Sequence, residues 1–127
     1  MHASTPMPAD TMTLDDLHKE LLAFRDARDW RQFHTLRNLI VSASIEAGEL
    51  LETVQWKTDD EIDALVADPA QRKHLEHECA DVLMYLMLIA DKAGFDLVEA
   101  AADKLKLNET RYPVEKAKGK STKYSAL

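Results

Sequence analysis

Residues 82–90 read VLMYLMLIA, nine apolar residues without a break. The run is far short of the ~20 residues that cross a bilayer, so it predicts a core segment and no membrane partner. Wound as a helix it is apolar on every side, and such a helix is normally buried all round. At 127 residues the chain is long enough for one domain. Four or five helices of that size rarely enclose one of their number completely. Part of this surface is therefore expected to meet another copy of the chain, in a dimer or tetramer. The alternative is a helix packed centrally within a single chain.

The rest of the sequence is helical in character. Ala, Leu, Glu, Asp and Lys dominate, Gly occurs only three times and Pro four, and no alternating strand pattern or long repeat is present. Thr13 with Asp16 opens a first helix, with Leu14, Leu17, Leu21 and Phe24 on one face, ending near Arg28. A second helix is expected over 32–55. Gly48 inside it costs roughly 1 kcal/mol against Ala and suggests a close approach by another backbone or a ligand. Thr58 with Glu61 caps a short helix over 59–67. Asp68-Pro69 starts a long one reaching Lys92 and stopped by Gly94, and Asp96 with Glu99 caps a last helix to about 111. The fold class is all-α, a bundle of four to five helices completed by oligomerisation. Residues 1–12 are expected as a flexible N-terminal arm, 13–112 as the helical domain and 113–127 as an extended basic C-terminal arm.

The net charge of −7 speaks against a nucleic-acid partner. It is unevenly spread: Lys104 to Leu127 holds seven Lys or Arg against two Glu. Cys79 is the only cysteine, which excludes an internal disulfide, fits a reducing compartment and reads as a small buried filler. The N-terminal residues do not resemble a secretory signal, so a cytoplasmic location is expected.

Acidic residues interrupt the apolar pattern at two places. Glu46 and Glu49 lie three apart in IEAGELLE, and Glu78 and Asp81 three apart in HECADVLMYLM. On a helix each pair shares a face. If the two long helices pack antiparallel, four carboxylates converge, and they repel one another unless a cation intervenes. Oxygen-only donors select a hard ion, Mg²⁺ with Mn²⁺ as a substitute. A single such pair is more often an exposed surface feature. Two pairs on successive long helices, each in apolar surroundings, favour the metal. A di-iron bundle would need Glu-x-x-His, and neither pair has the histidine.

RDWRQFH, RNLIVSASIEAGELLE, QWK, ECADVLMYL, NETRYP and the closing GKSTKYSAL together resemble the MazG-like all-α nucleoside triphosphate pyrophosphohydrolases, within them most the dCTP pyrophosphatase group. The resemblance runs from about Leu14 to the C-terminus. It implies that Glu46, Glu49, Glu78 and Asp81 bind Mg²⁺. It also implies that Trp30 to His34, Trp56 and Tyr85 contact substrate, and that two or four chains assemble with the base pocket between them. Two positions depart from the pattern: Ile45 stands where many relatives carry Glu, and Leu21 where dCTP-preferring members carry His.

The implied reaction is hydrolysis of the α–β phosphoanhydride of a nucleoside triphosphate, dCTP or a modified dCTP, to the monophosphate and pyrophosphate, as nucleotide-pool sanitation. Water attacks, and Glu49, with Glu52 second, is the candidate to accept its proton. Lys104, Asn108 and Arg111 share a face of the last helix and, with Tyr112, are the candidates to hold phosphate. The competing reading is a non-catalytic helical oligomer that binds nucleotides or a protein partner.

Overall fold

The computed structural model describes residues 7–127, so half of the expected N-terminal arm, residues 1–6, lies outside the described residues. Residues 9–11 form a short 3-10 turn, and the Met7 amide donates to Glu20 Oε1 at 3.0 Å. Six α-helices follow among the described residues, with no strand: α1 (Leu14–Ala27), α2 (Leu36–Glu52), α3 (Asp59–Ala67), α4 (Pro69–Ala93), α5 (Leu97–Arg111) and the single turn α6 (Val114–Ala117). The fold is all-α, as expected. None of these helices is long and apolar enough to cross a membrane.

The helix starts are set by local chemistry. Thr13 and Asp16 form a reciprocal capping box on α1. The Thr35, Thr58 and Asp96 side chains accept the orphan amides of Asn38, Glu61 and Glu99 at the heads of α2, α3 and α5. Asp68 Oδ2 accepts from the Gln71 amide at 2.9 Å, which starts α4 behind Pro69. Gly94, at φ 80°, ends α4 in the left-handed conformation that glycine tolerates best.

α2 begins four residues later than expected. Residues Arg31–Phe33 form a separate 3-10 turn, because Thr35 caps α2 and Asn38 Nδ2 donates back to the Phe33 carbonyl at 3.1 Å. The helix also ends at Glu52, and residues 53–56 form turns.

The backbone divides into two compact units, one ending at Ala93 and one spanning Gly94–Leu127. In the first, α2 packs along α4, and α1 and α3 also lie against α4. Leu39, Leu65, Met87, Leu88 and Ala90 form its buried core. The apolar run is only partly enclosed by the described residues. Met87, Leu88 and Ala90 are buried, Val82 to Tyr85 are half-buried and Leu86 is exposed. Leu36, Ile40, Val41, Ile45 and Leu51 on α2 are exposed as well.

One further expectation is corrected. Cys79 is exposed, because its position on α4 turns away from the α2 seam that Glu78 enters. A Cβ at Gly48 would meet nothing within 4 Å among the described residues.

In the second unit, the segment expected as an extended arm contains α6 and a 3-10 turn at Tyr124–Ala126. It returns on itself. Tyr124 meets the Tyr112 ring edge to face at 5.9 Å, and the Arg111 guanidinium lies 4.5 Å from the centre of the Tyr124 ring.

Candidate active site

α2 and α4 bring the acids of the two motifs together. Carboxylate oxygens of Glu46, Glu49 and Glu78 lie within 4.8 Å of one another. Glu78 is buried, Glu46 half-buried and Glu49 exposed, so the cluster runs from the helix seam to the surface. Glu46 Oε2 and Glu78 Oε2 are each buried without a hydrogen-bond partner among the described residues. A buried carboxylate oxygen without a donor is costly, and carboxylates packed against each other add repulsion.

The electrostatics record that cost. Burial first, then the adjoining Glu49 carboxylate and the charges of Asp81 and Glu78, push the Glu46 carboxyl up to about 7. Burial and the Glu49 charge push Glu78 up too, with Asp81 adding and His74 opposing. A divalent cation would relieve both effects, and an all-oxygen donor set fits a hard ion. The residues therefore fit the metal that their pattern suggested.

Asp81 lies outside the tight trio, although its charge acts on Glu46 and Glu78. It borders an apolar cavity of about 390 Å³ between α1, the following turn and α4. Trp30, His34 and Tyr85 line the same cavity, so three of the expected substrate residues and one expected metal ligand share its wall. Trp30 is held in this wall by local geometry. Asp29 takes φ 53°, a conformation open to aspartate, and the Gln32 amide donates to its carbonyl and carboxylate at 3.1 and 2.9 Å. The Trp30 ring then packs edge-on against Phe24 at 5.7 Å. His34 presents a buried Nδ1 without a partner among the described residues. Burial, and then the charge of Arg25, push the His34 imidazole down, which keeps it neutral at pH 7.

Trp56 is not part of that wall. It stands 91% exposed in the turn after α2, at φ 66°. Glu52 borders a separate cavity of about 270 Å³ with Glu49, Thr53, His74 and Glu78, which puts it at the outer edge of the acid cluster. Lys104, Asn108 and Arg111 lie on α5 in the second unit, and Tyr112 caps that helix.

Sequence reasoning passed over two residues. His74, one turn before Glu78, brings Nε2 to 3.8 Å from Glu78 Oε1, and its i, i+4 spacing was the available signal. Arg25, one turn after Leu21 on α1, is buried against the apolar cavity, where a cation is not expected from an apolar stripe.

The MazG-like family matches residues 41–127, which contain all four motif acids. dCTP pyrophosphatase 1 of Mus musculus is 40% identical over 115 residues, covering 91% of this chain and 68% of the relative. The Homo sapiens protein of the same name is 41% identical over the same shares. Among solved structures, a pyrophosphatase from Archaeoglobus fulgidus superposes with a TM-score of 0.74 at 38% identity, covering 84% of this chain and 98% of that one. With the carboxylates of both motifs gathered on α2 and α4 beside an apolar cavity, the chain belongs to the MazG-like family of nucleotide pyrophosphohydrolases.

Proposed function

We propose that the protein is a Mg²⁺-dependent pyrophosphohydrolase of deoxynucleoside triphosphates, with dCTP or a modified dCTP preferred, that yields the monophosphate and pyrophosphate. One observation carries the reading. The Glu46–Glu49–Glu78 cluster, with two buried and unpartnered oxygens, adjoins through Asp81 an apolar cavity bordered by Trp30 and Tyr85. Such a pairing suits a molecule with a charged end that needs a cation and a flat apolar end that stacks. The choice of cytosine is supported by the likeness to the two dCTP pyrophosphatases.

Glu46, Glu49, Glu78 and Asp81 would hold the ion. When bound, it neutralises the phosphate oxygens and orients the anhydride for attack by water. Glu49 is exposed, so water can reach it, which makes it the first candidate for accepting a proton; Glu52 borders the next cavity and is the second. Trp30 and Tyr85 would face the base, and His34 would offer a neutral nitrogen. Trp56 would contact the base, and Lys104, Asn108, Arg111 and Tyr112 remain the candidates to hold phosphate. The exposed apolar faces of α2 and α4 support assembly into a dimer or tetramer. The proposed role is nucleotide-pool sanitation, with the cytoplasm as its proposed place.

The test is pyrophosphate release from a panel of deoxynucleoside and ribonucleoside triphosphates with Mg²⁺. Release is expected with dCTP among the best substrates, absent with EDTA and absent in Asp81→Asn. Activity that survives both treatments overturns the proposal.

A further inference from the structure

The 390 Å³ cavity is almost wholly apolar. Leu17, Leu21 and Phe24 of α1 and Met84 and Leu88 of α4 line it, and none of these side chains can hydrogen-bond. Arg25 is the only Lys or Arg among its lining residues, and it is only 6% exposed. A buried guanidinium demands partners, and it has two: Nε donates to Asp26 Oδ1 at 2.9 Å, and Nη1 to Asp91 Oδ2 at 3.0 Å. These bonds fix the plane of the group. Nη2 has no partner among the described residues. Arg25 and His34 both line the cavity. A guanidinium has five N–H donors and no acceptor, so it can pair only with acceptors.

We propose that Arg25 is a further substrate-binding residue that donates a hydrogen bond to the O2 carbonyl of cytosine, an acceptor that all pyrimidines share, in this cavity. The inference rests on the cytidine-nucleotide reading given above. Cytosine carries one carbonyl, O2, and one exocyclic amino group; a donor-only partner pairs with the first and is unmatched against the second. Arginine reads the carbonyl edge of guanine by the same donor pattern. Asp26 and Asp91 pre-set the fork, so little freedom is lost when the base arrives. A ligand that lacks the acceptor leaves a buried donor unpaired, which is the stronger route to discrimination.

The test is a cycle between the protein and one ligand atom. Calorimetric titration measures 2′-deoxycytidine monophosphate and its 2-thio analogue, whose sulfur is a weak acceptor, on the wild-type protein, on Arg25→Met and on the double variant Arg25→Met/Asp91→Leu. The double variant removes the buried guanidinium together with its half-buried partner, so a failure of the single variant to fold does not end the test. The wild type is expected to bind the oxo nucleotide about tenfold or more tightly than the thio one. In the variants the oxo nucleotide is expected to fall to the thio level, with the thio affinity unchanged. A wild type that binds both alike, or binds neither, overturns the assignment. So does an equal loss for both nucleotides in the variants, which marks Arg25 as structural only. Turnover of dCTP by the wild type, run in parallel, separates the two claims. Turnover with no oxo-thio cycle sinks Arg25 alone, whereas the cycle without turnover leaves Arg25 standing and sinks the hydrolase reading.

Discussion

Glu46 on α2 and Glu78 on α4 meet across the helix seam with carboxylate oxygens within 4.8 Å, and each keeps one buried oxygen without a hydrogen-bond partner among the described residues. Two acids so placed oppose folding unless something positive joins them. Glu46→Gln is therefore expected to raise the melting temperature of the metal-free protein near pH 8. The same substitution is expected to reduce Mg²⁺-dependent pyrophosphate release by about 100-fold or more, since it removes a charged oxygen donor. Calorimetric melting and a release assay on one preparation check both halves. A variant that loses stability and keeps activity would show that the cluster is structural.

The pH dependence follows from the same pair. Glu46 binds its proton more tightly in the folded chain, near 7, than at its ordinary value of 4.5 in an unfolded one. Between those values the folded state holds the extra proton, so stability is highest below the unfolded value and declines as pH rises through the window. Glu78 is shifted in the same direction. The metal-free protein should melt progressively lower from about pH 5 to about pH 7.5. Added Mg²⁺ should raise the melting temperature more at the upper end, because the ligands must be deprotonated to bind. Thermal scans with and without the ion read this directly.

Trp56 is a bulky residue at φ 66° whose side chain is 91% exposed. That conformation costs of order 1–3 kcal/mol in a non-glycine residue, and so exposed a ring recovers little of it by packing in this chain. Trp56→Gly should leave stability within about 1 kcal/mol of wild type. It should raise KM for dCTP several-fold if the indole stacks on a base, a contact worth roughly 1–3 kcal/mol. An unchanged KM removes Trp56 from the substrate contacts.

Asp91 joins α4 to α1 through Arg25, and His18 Nε2 approaches it at 3.7 Å. Asp91→Ala leaves the buried guanidinium with one carboxylate partner. A loss of about 1–3 kcal/mol in urea-unfolding free energy is expected, typical for a buried group that loses a charged hydrogen-bond partner.

Val41 and Ile45 lie one turn apart on α2, at 46% and 57% exposure, next to exposed Ile40. Light scattering should give a mass that is a multiple of 14.4 kDa for the wild type. The double variant Val41→Lys/Ile45→Lys should give the single-chain mass, and a wild type that already runs as one chain refutes assembly through this face.

Helix content and the pairing of the acids were legible from sequence because both are local. A capping Thr or Asp meets the amides of its own first turn, and an i, i+3 spacing fixes a shared face wherever the helix goes. The late start of α2 was missed because the Thr35 side chain, which accepts the Asn38 amide, begins the helix after a separate 3-10 turn at Arg31–Phe33. Cys79 was misread because burial depends on which face of the helix meets its neighbour, and apolar sequence surrounds those faces alike.

By itself, the sequence determined the chemistry of five helical segments: the caps, the breaks at Pro69 and Gly94, and two acid pairs with fixed spacing along their helices. Only the tertiary structure decided that Glu46, Glu49 and Glu78 converge while Asp81 borders the adjoining cavity, and that Arg25 is the cation at that cavity's wall. The first set depends on contacts within a turn or two of chain. The second depends on the angle and register at which α1 and α2 dock on α4, which arise from the summed packing of many side chains distant in sequence.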